Sequence, residues 1–118
     1  MANEYDLEKR TFIFAKNVRN YVNSLEKTIT NVEYGKQLAR SSGSVAANYI
    51  EANESLGKND FYMRLKICRK EAKETIMWLN LTSTKDEKTK NELVAEGTEI
   101  MKIFGSIITK IYKKYAEK

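Results

Sequence analysis

The segment from Gln37 to Ala52, QLARSSGSVAANYIEA, limits the possible folds more than any other part of this chain. Apolar or small residues recur there every three or four positions, which is the period of an α-helix. A line of short polar side chains runs beside them, although a solvent-exposed helix in a chain that is 31% charged would carry Lys and Glu there. The first line comprises Leu38, Ser42, Val45, Tyr49 and Ala52, and the second, the polar line, comprises Gln37, Ser41, Ser44 and Asn48. The pattern predicts a helix that other helices approach on more than one side.

Three further segments show the same period, and no proline interrupts them. We predict helices over about Leu7–Leu25, Val32–Ser55, Asp60–Leu79 and Thr84–Tyr115. Outside the second helix, the predicted core positions are Leu7, Thr11, Phe14, Val18, Tyr21 or Val22, Leu25, Phe61, Leu65, Cys68, Ala72, Ile76, Leu79, Leu93, Gly97, Ile100, Phe104, Ile107 or Ile108, Ile111 and Tyr115. Short connections favour one all-α domain over residues 1–118, an up-down-up-down antiparallel four-helix bundle.

Polar residues predict how three of these helices begin. The second helix has Thr30 or Asn31 available as its N-cap, the residue whose side chain accepts a hydrogen bond from a free backbone amide. For the fourth helix, Thr84 and Glu87 fit a capping box, in which each side chain accepts a hydrogen bond from the other residue's amide. Asp60 is expected in the first turn of the third helix, where its carboxylate complements the helix dipole.

The chain contains no histidine. That absence excludes the Glu-x-x-His ligands of a di-iron bundle and any Ser/His or Cys/His nucleophile. Carboxylate-only chemistry would need a pocket around Glu51, Glu71 and Glu74. The alternative interpretation is that one of these residues forms a structural ion pair with Arg40 across a helix contact, because a buried charge requires a partner. We therefore expect no catalytic residue, no metal, no cofactor and no small-molecule substrate.

The beginning of the chain has early acidic residues and lacks the apolar stretch of a signal peptide. No segment approaches the roughly 20 apolar residues that a membrane-spanning helix needs. The single Cys68 cannot form an internal disulfide, and its place in an apolar stripe predicts a buried thiol in a reducing compartment. These features predict a cytoplasmic protein without a membrane partner.

Two segments, QLARSSGSVAANYIEA and DFYMRLKICRKEAKETIMWLNL, resemble a bacterial protein family. Its members are four-helix bundles encoded within intervening sequences of 23S ribosomal RNA genes, and they are similar in turn to the accessory protein of diversity-generating retroelements. The resemblance is strongest from Leu7 to Leu81. Its matching words are Gln37-Leu38, Arg40-Ser41-Ser42, Ala47-Asn48, Glu51-Ala52, Asp60-Phe61, Lys70-Glu71-Ala72 and Trp78-Leu79. It implies a four-helix bundle assembled into a homopentameric ring that binds RNA or a nucleoprotein.

Basic residues recur at helical spacing in the third predicted helix, away from its apolar stripes. They are Lys66, Arg69, Lys70 and Lys73, and Lys110, Lys113, Lys114 and Lys118 add charge near the end of the chain. Tyr62 precedes the first group by one turn and is a candidate for stacking on an unpaired base. The whole chain has a formal net charge of +5. These residues predict a non-enzymatic RNA-binding surface, although charged helix faces are commonly only solvated.

The third helix also has a second apolar line, Met63, Ile67 and Trp78, more than about 100° from its core stripe. Large exposed apolar surfaces are rare on soluble monomers. We therefore predict a homo-oligomer whose interface combines this line with the polar line, and we expect Trp78 to anchor the contact. The alternative function is a protein–protein assembly module without a nucleic-acid role.

Overall fold

A computed structural model of the chain describes the backbone of residues 7–116 and the side chains of residues 7–114. The described part consists of four helices without a strand. They are α1 (Leu7–Ser24), α2 (Ile29–Asn53), α3 (Lys58–Leu81) and α4 (Glu87–Ala116). Each helix packs against the next one, and α1 also contacts α4. Since the connections span only residues 25–28, 54–57 and 82–86, the chain reverses direction between packed helices, as in an up-down bundle.

The predicted core stripes are confirmed wherever the structure describes them. Leu7, Leu38, Leu65, Ile100 and Phe104 are representative, because each is fully buried where its helix faces the other three. The remaining predicted positions are buried or partly buried, except that the Tyr115 side chain lies outside the described residues. None of the described helices is long and apolar enough to cross a membrane.

Two polar residues of the core stripes are buried, and the hydroxyl group of each forms a hydrogen bond. Thr11 Oγ1 donates to the carbonyl oxygen of Leu7 at 2.8 Å, and Ser42 Oγ donates to that of Leu38 at 2.7 Å. Each bond reaches back one helical turn, so the hydroxyl keeps a partner inside the core. Small polar residues can therefore occupy core positions on these helices.

The predicted N-cap of the second helix is wrong by two or three residues. Thr28 caps α2, because its Oγ1 accepts a hydrogen bond from the Asn31 backbone amide at 3.2 Å. The Asn31 side chain instead donates to the carbonyl oxygens of Glu26 and Ser83 at 2.9 and 3.0 Å. Asn31 thus ties the α1–α2 connection to the α3–α4 connection, a tertiary use that its sequence neighbours do not indicate.

The predicted capping box of the fourth helix is also wrong. Asp86 Oδ1 accepts from the Thr89 amide at 3.1 Å, and Asp86 Oδ2 accepts from the Thr89 hydroxyl at 2.6 Å. Thr84 Oγ1 accepts from the Asp86 amide at 3.0 Å and stays in the turn before the helix. Asp86, two residues closer to the helix than Thr84, takes the capping position. Its carboxylate accepts the hydrogen bond and also complements the positive end of the helix dipole. Asp60 lies in the first turn of α3, as predicted.

Two glycines permit close approach between helices. A Cβ atom on Gly97 of α4 would lie 3.1 Å from Ile76 Cγ1 of α3 and 3.2 Å from Phe14 Cζ of α1. A Cβ atom on Gly35 of α2 would lie 3.0 Å from Val22 Cγ1 of α1. These distances are tighter than ordinary van der Waals contact, so the missing side chains set the spacing of the bundle.

The contact between the first and last helices includes a paired charge. Arg10 Nε and Nη2 each donate to a different carboxylate oxygen of Glu96, both at 2.8 Å. The hydrogen bond to Glu96 raises the pKa of the Arg10 guanidinium. A bidentate pair of this kind fixes the relative orientation of two helices more strictly than a single contact.

Candidate nucleic-acid interface

A basic groove runs along the outer face of α3 and reaches α4. Its volume is about 710 Å³. Its lining residues are Met63, Lys66, Ile67, Arg69, Lys70, Lys73, Met101, Lys102 and Gly105. Five of these side chains are cationic, and within the described part of the chain none of the lining residues is acidic. The groove therefore presents positive charge around an apolar floor.

The helix rotation explains why the four basic residues of α3 face outward. Leu65, Cys68 and Ala72 fix the buried side of α3 with essentially no exposure. At about 100° per residue, Lys66 and Lys73 lie well away from that side, and both are exposed. From the first of these lysines to the second, the helix rises by roughly 10 Å. The basic residues thus form a continuous exposed line.

Apolar side chains form the floor between the cations. Met63 is 53% exposed, and Ile67 and Met101 are partly buried. Gly105 has no side chain at the α4 side of the groove, and a Cβ atom there would lie 3.9 Å from Arg69 Cδ. The aliphatic part of Arg69 therefore lies close to α4. An arrangement of this kind offers contacts for a base or ribose as well as for phosphates.

A cation lies over one face of the Tyr62 ring. The Lys66 ammonium lies 5.4 Å from the centroid of the Tyr62 ring, a cation–π contact across one helical turn. Tyr62 is partly buried against the core. Stacking of a base on that face would therefore require Lys66 to move.

Lys102 is a groove residue that the sequence analysis missed. It is isolated in sequence between Glu99 and the apolar residues of α4, and only the packing of α4 on α3 brings it into the same groove as the basic residues of α3. Its spacing of eleven residues from Lys113 places both on one face of α4, which was the available sequence signal. A cation contributed by a different helix cannot be recognised from the periodicity of α3 alone.

The C-terminal lysines are not brought into the groove. Lys110, Lys113 and Lys114 lie two to three turns beyond Lys102 along α4. Lys114 instead lines a separate depression at the α2–α3 connection, together with Ser55, Leu56, Gly57, Lys58, Phe61 and Ile111. Lys118 lies outside the described residues. The predicted basic set is thus divided between two regions of the surface.

Arg40 contacts two of the three acidic residues proposed from the sequence. Arg40 Nη1 donates to Glu71 Oε2 at 2.9 Å, and Arg40 Nη2 donates to Glu74 Oε1 at 3.0 Å. The hydrogen bond to Glu71 is the main reason that the pKa of the Arg40 guanidinium is raised. Glu71 is buried, whereas Glu51 is exposed and lies three turns from Arg40 along α2. Glu51 therefore takes no part in the cluster, and the formal charges of Arg40, Glu71 and Glu74 sum to −1.

Comparison with known proteins identifies the family. The family model described as 23S rRNA-intervening sequence protein matches residues 3–106. This chain belongs to that family. A crystal structure of a protein with unknown function from the S23 ribosomal protein family of Bacteroides thetaiotaomicron VPI-5482 is 30% identical, with a TM-score of 0.74, and the match covers 86% of this chain and 97% of that one. No curated protein matches the chain.

The described hydrogen bonds of the polar line in this family member lie within its own chain. Ser41 is fully buried, and its Oγ accepts a hydrogen bond from Thr75 Oγ1 of α3 at 2.8 Å. Asn48 Oδ1 accepts from Arg64 Nη1 of α3 at 3.0 Å. Gln37 Oε1 accepts from Arg40 Nε at 3.1 Å. Ser44 Oγ accepts from the side-chain amide nitrogen of Asn48, Nδ2. The prediction for Ser41 is therefore corrected, because its close neighbour is α3 of the same chain, and Asn48 is also bonded to α3. The bonds of Gln37 and Ser44 lie within α2, so a place for these two residues at a subunit interface stays a prediction.

Trp78 occupies a similar internal position in this family member. Its ring is partly buried against the core and lies 5.7 Å from the Tyr34 ring, measured between centroids. The indole Nε1 is shielded from solvent and has no hydrogen-bond partner within the described residues. The other two residues of the second apolar line, Met63 and Ile67, lie in the groove. Trp78 thus joins α2 to α3, and the rest of its line faces outward.

The Cys68 thiol is buried in the core. Burial raises the pKa of the Cys68 thiol to about 12, so the thiolate, the reactive form, is scarce at neutral pH. Cys68 Sγ lies 3.6 Å from the carbonyl oxygen of Val45. Among residues 7–114, no group of three or more Cys, Asp or Glu side chains is placed to hold a metal ion.

Proposed function

We propose that this family member is a non-enzymatic protein that binds RNA, alone or within a nucleoprotein, through the basic groove. The observation that carries the proposal is the convergence of five cations from two helices: Lys66, Arg69, Lys70, Lys73 and Lys102. Nearby phosphates are attracted to such a surface, and binding releases the counterions that surround the polyanion. The Arg40 cluster on the other side of α3 has a formal charge of −1, so the positive potential of α3 is concentrated on the α4 side.

The number of cations predicts the salt dependence of binding. Each phosphate contact contributes a slope of roughly −0.7 to −0.9 to a plot of log K against log salt concentration. If all five cations contact phosphates, the slope is roughly −3.5 to −4.5. Contacts with the apolar floor add to the binding free energy a contribution that does not depend on salt concentration.

The proposal is tested with two triple variants of equal charge. Lys66→Glu, Arg69→Glu and Lys73→Glu together remove the centre of the basic line. Lys9→Glu, Lys16→Glu and Arg19→Glu together make the same change on the exposed face of α1 and serve as the control. Both variants contain two lysine changes and one arginine change, and both lower the formal net charge from +5 to about −1.

Binding is measured by fluorescence anisotropy with a labelled RNA hairpin, at several salt concentrations. We expect the α3 variant to lose most of the affinity and the salt slope, while the α1 variant loses only the smaller effect of net charge. Circular dichroism of both variants should match that of the wild-type protein. Equal losses in the two variants, or no wild-type affinity at low salt, would reject the groove as an RNA site.

A second candidate function is self-assembly, and exposed apolar side chains favour it. Phe12 on α1, Ile29 on α2 and Leu56 in the α2–α3 connection are 62%, 88% and 103% exposed. We propose that the chain forms a homo-oligomer through such residues; the family resemblance implies a ring of five. Light scattering tests this directly, because a mass of 13.7 kDa at micromolar concentration identifies a monomer and five times that mass identifies the ring.

A further inference from the structure

The floor of the basic groove is apolar, although cations surround it. Met63 and Ile67 come from α3, and Met101 comes from α4. Met63 is 53% exposed, and Gly105 adds no side chain that would cover the floor. The groove volume of about 710 Å³ is within the range of roughly 300 to 1,000 Å³ in which proteins hold small organic groups. The groove therefore has room for a flat apolar group in addition to phosphates.

The side chains of the floor suit the face of a nucleobase. A methionine side chain is unbranched and flexible, and its polarisable sulfur packs favourably against aromatic rings. Met63 and Met101 offer such a group from each of the two helices. None of the described groove residues has an amide, hydroxyl or carboxylate side chain. We therefore expect the floor to distinguish an accessible base from an inaccessible one, rather than one base from another.

A base can reach this floor only from a strand that is not paired. In an A-form RNA duplex the major groove is deep and narrow, and protein contacts are made mainly to ribose hydroxyls and phosphates. In a single strand or a loop, the bases can be splayed out and packed on side chains. We infer, on the basis of the proposed function, that the groove selects unpaired RNA over duplex RNA. The phosphates of the strand contact the cations, and a base packs on Met63 and Met101.

The length of the basic line sets the number of nucleotides that one groove contacts. From Lys66 to Lys73 the helix rises by roughly 10 Å. A stacked strand rises by roughly 3.4 Å per nucleotide, so the line spans about three nucleotides. A segment of that length is present in a loop or a bulge as well as in a longer single strand.

Phosphate contacts alone would give the opposite preference. A duplex carries more charge per unit length than a single strand, so a surface that contacted only phosphates would bind the duplex more tightly. A strand without bases separates the two contributions, because it keeps the phosphates and the flexibility of single-stranded RNA. Its affinity reports what the five cations contribute without the floor.

The test compares three labelled RNAs by fluorescence anisotropy at several salt concentrations. They are a twelve-nucleotide strand without self-complementarity, the duplex that it forms with its complement, and an abasic strand of the same length. Each is titrated with the wild-type protein, with Met63→Ser and with the control Met77→Ser. The control makes the same change on the same helix at a side chain of similar exposure, 46% against 53%, that does not line the groove.

We expect the wild-type protein to bind the single strand at least about fivefold more tightly than the duplex or the abasic strand. Met63→Ser should weaken binding of the single strand at least about threefold and leave the affinities for the other two RNAs unchanged. Its salt slope should match that of the wild-type protein, because no cation is removed. Met77→Ser should behave as the wild-type protein does. Circular dichroism checks the fold of both variants.

Failure of this inference differs from failure of the proposed function. If the duplex or the abasic strand binds as tightly as the single strand, and the triple substitution of Lys66, Arg69 and Lys73 removes that binding, the groove is an RNA site without selectivity for unpaired bases. Equal affinities of Met63→Ser and Met77→Ser for the single strand would also overturn the inference, because the floor would then not contact a base. If none of the three RNAs binds at low salt, the proposed function fails and the inference fails with it.

Discussion

Two glycines in the middle of helices should respond in opposite directions to the same substitution. Alanine is favoured over glycine by about 1 kcal/mol within a helix. Without any steric cost, both Gly43→Ala and Gly97→Ala would raise the free energy of unfolding by that amount. At Gly43 no atom lies within 4 Å of the new Cβ, and the gain is kept. At Gly97 the new Cβ would lie 3.1 Å from Ile76 Cγ1 and 3.2 Å from Phe14 Cζ. Overpacking of this kind costs about 1 to 3 kcal/mol.

The expected free energies of unfolding follow from this balance. Gly43→Ala should be more stable than the wild-type protein by about 0.5 to 1 kcal/mol. Gly97→Ala should be less stable by up to about 2 kcal/mol, because the steric cost matches or exceeds the helical gain. The two variants should therefore differ by about 2 kcal/mol, although their sequences have the same composition.

Urea unfolding, followed by circular dichroism and extrapolated linearly to water, measures the difference. The slope with urea should be the same for both variants, since neither changes the surface exposed on unfolding. The reasoning would be refuted if Gly97→Ala were as stable as Gly43→Ala. That result would mean that Phe14 and Ile76 can move aside at little cost, and that the close approach of α4 does not depend on the missing side chain.

Substitutions at three further positions test the core, the ion pair and the α4 cap. Leu65→Ala removes a fully buried side chain and should lower the free energy of unfolding by about 2 to 5 kcal/mol in urea titrations; a loss below about 0.5 kcal/mol would contradict the helix phase. Arg40→Met should cost about 1 to 3 kcal/mol, because it leaves the buried Glu71 carboxylate without its partner, and Arg40→Lys should recover part of the loss in the same titrations. Hydrogen bonds from Thr89 lower the pKa of the Asp86 carboxyl, so its charge stabilises the fold above the unfolded pKa of about 3.9 and this stabilisation is lost as pH falls through the lower folded value. The melting-temperature difference between the wild-type protein and Asp86→Asn should therefore shrink from pH 7 to strongly acidic pH, and a constant difference would reject the cap.

Local periodicity was sufficient for the helices and their buried faces. The residue rotation of an α-helix is fixed by backbone hydrogen bonding, so apolar residues such as Leu38 and Phe104 identify the buried side without knowledge of the neighbouring helix. Helix starts were less well predicted, because several polar residues compete for the same free amides. Thr28 caps α2 and Asp86 caps α4, whereas the Asn31 side chain donates to the α3–α4 connection instead.

The candidate site was only partly accessible from the sequence. The basic line of α3 has a helical period and was predicted from it, and Arg40 was predicted to have an acidic partner among three candidates. Which carboxylates meet Arg40 depends on the vertical offset between α2 and α3, a quantity that no local pattern contains. Glu71 and Glu74 of α3 lie at the right height. Glu51 lies in α2 itself, three turns from Arg40, so the helix alone puts it out of reach.

The sequence by itself determined the four helices, their core stripes and the exposed basic line, since each depends on interactions within a few residues of the chain. The tertiary structure alone decided what Ser41 faces and where Lys102 lies, because both depend on which helices become neighbours. Small polar residues such as Ser41 suit either a neighbouring subunit or a neighbouring helix, as both offer a closely approaching surface. The packing of α3 on α2 assigned Ser41 to the bundle, and the packing of α4 on α3 added Lys102 to the groove.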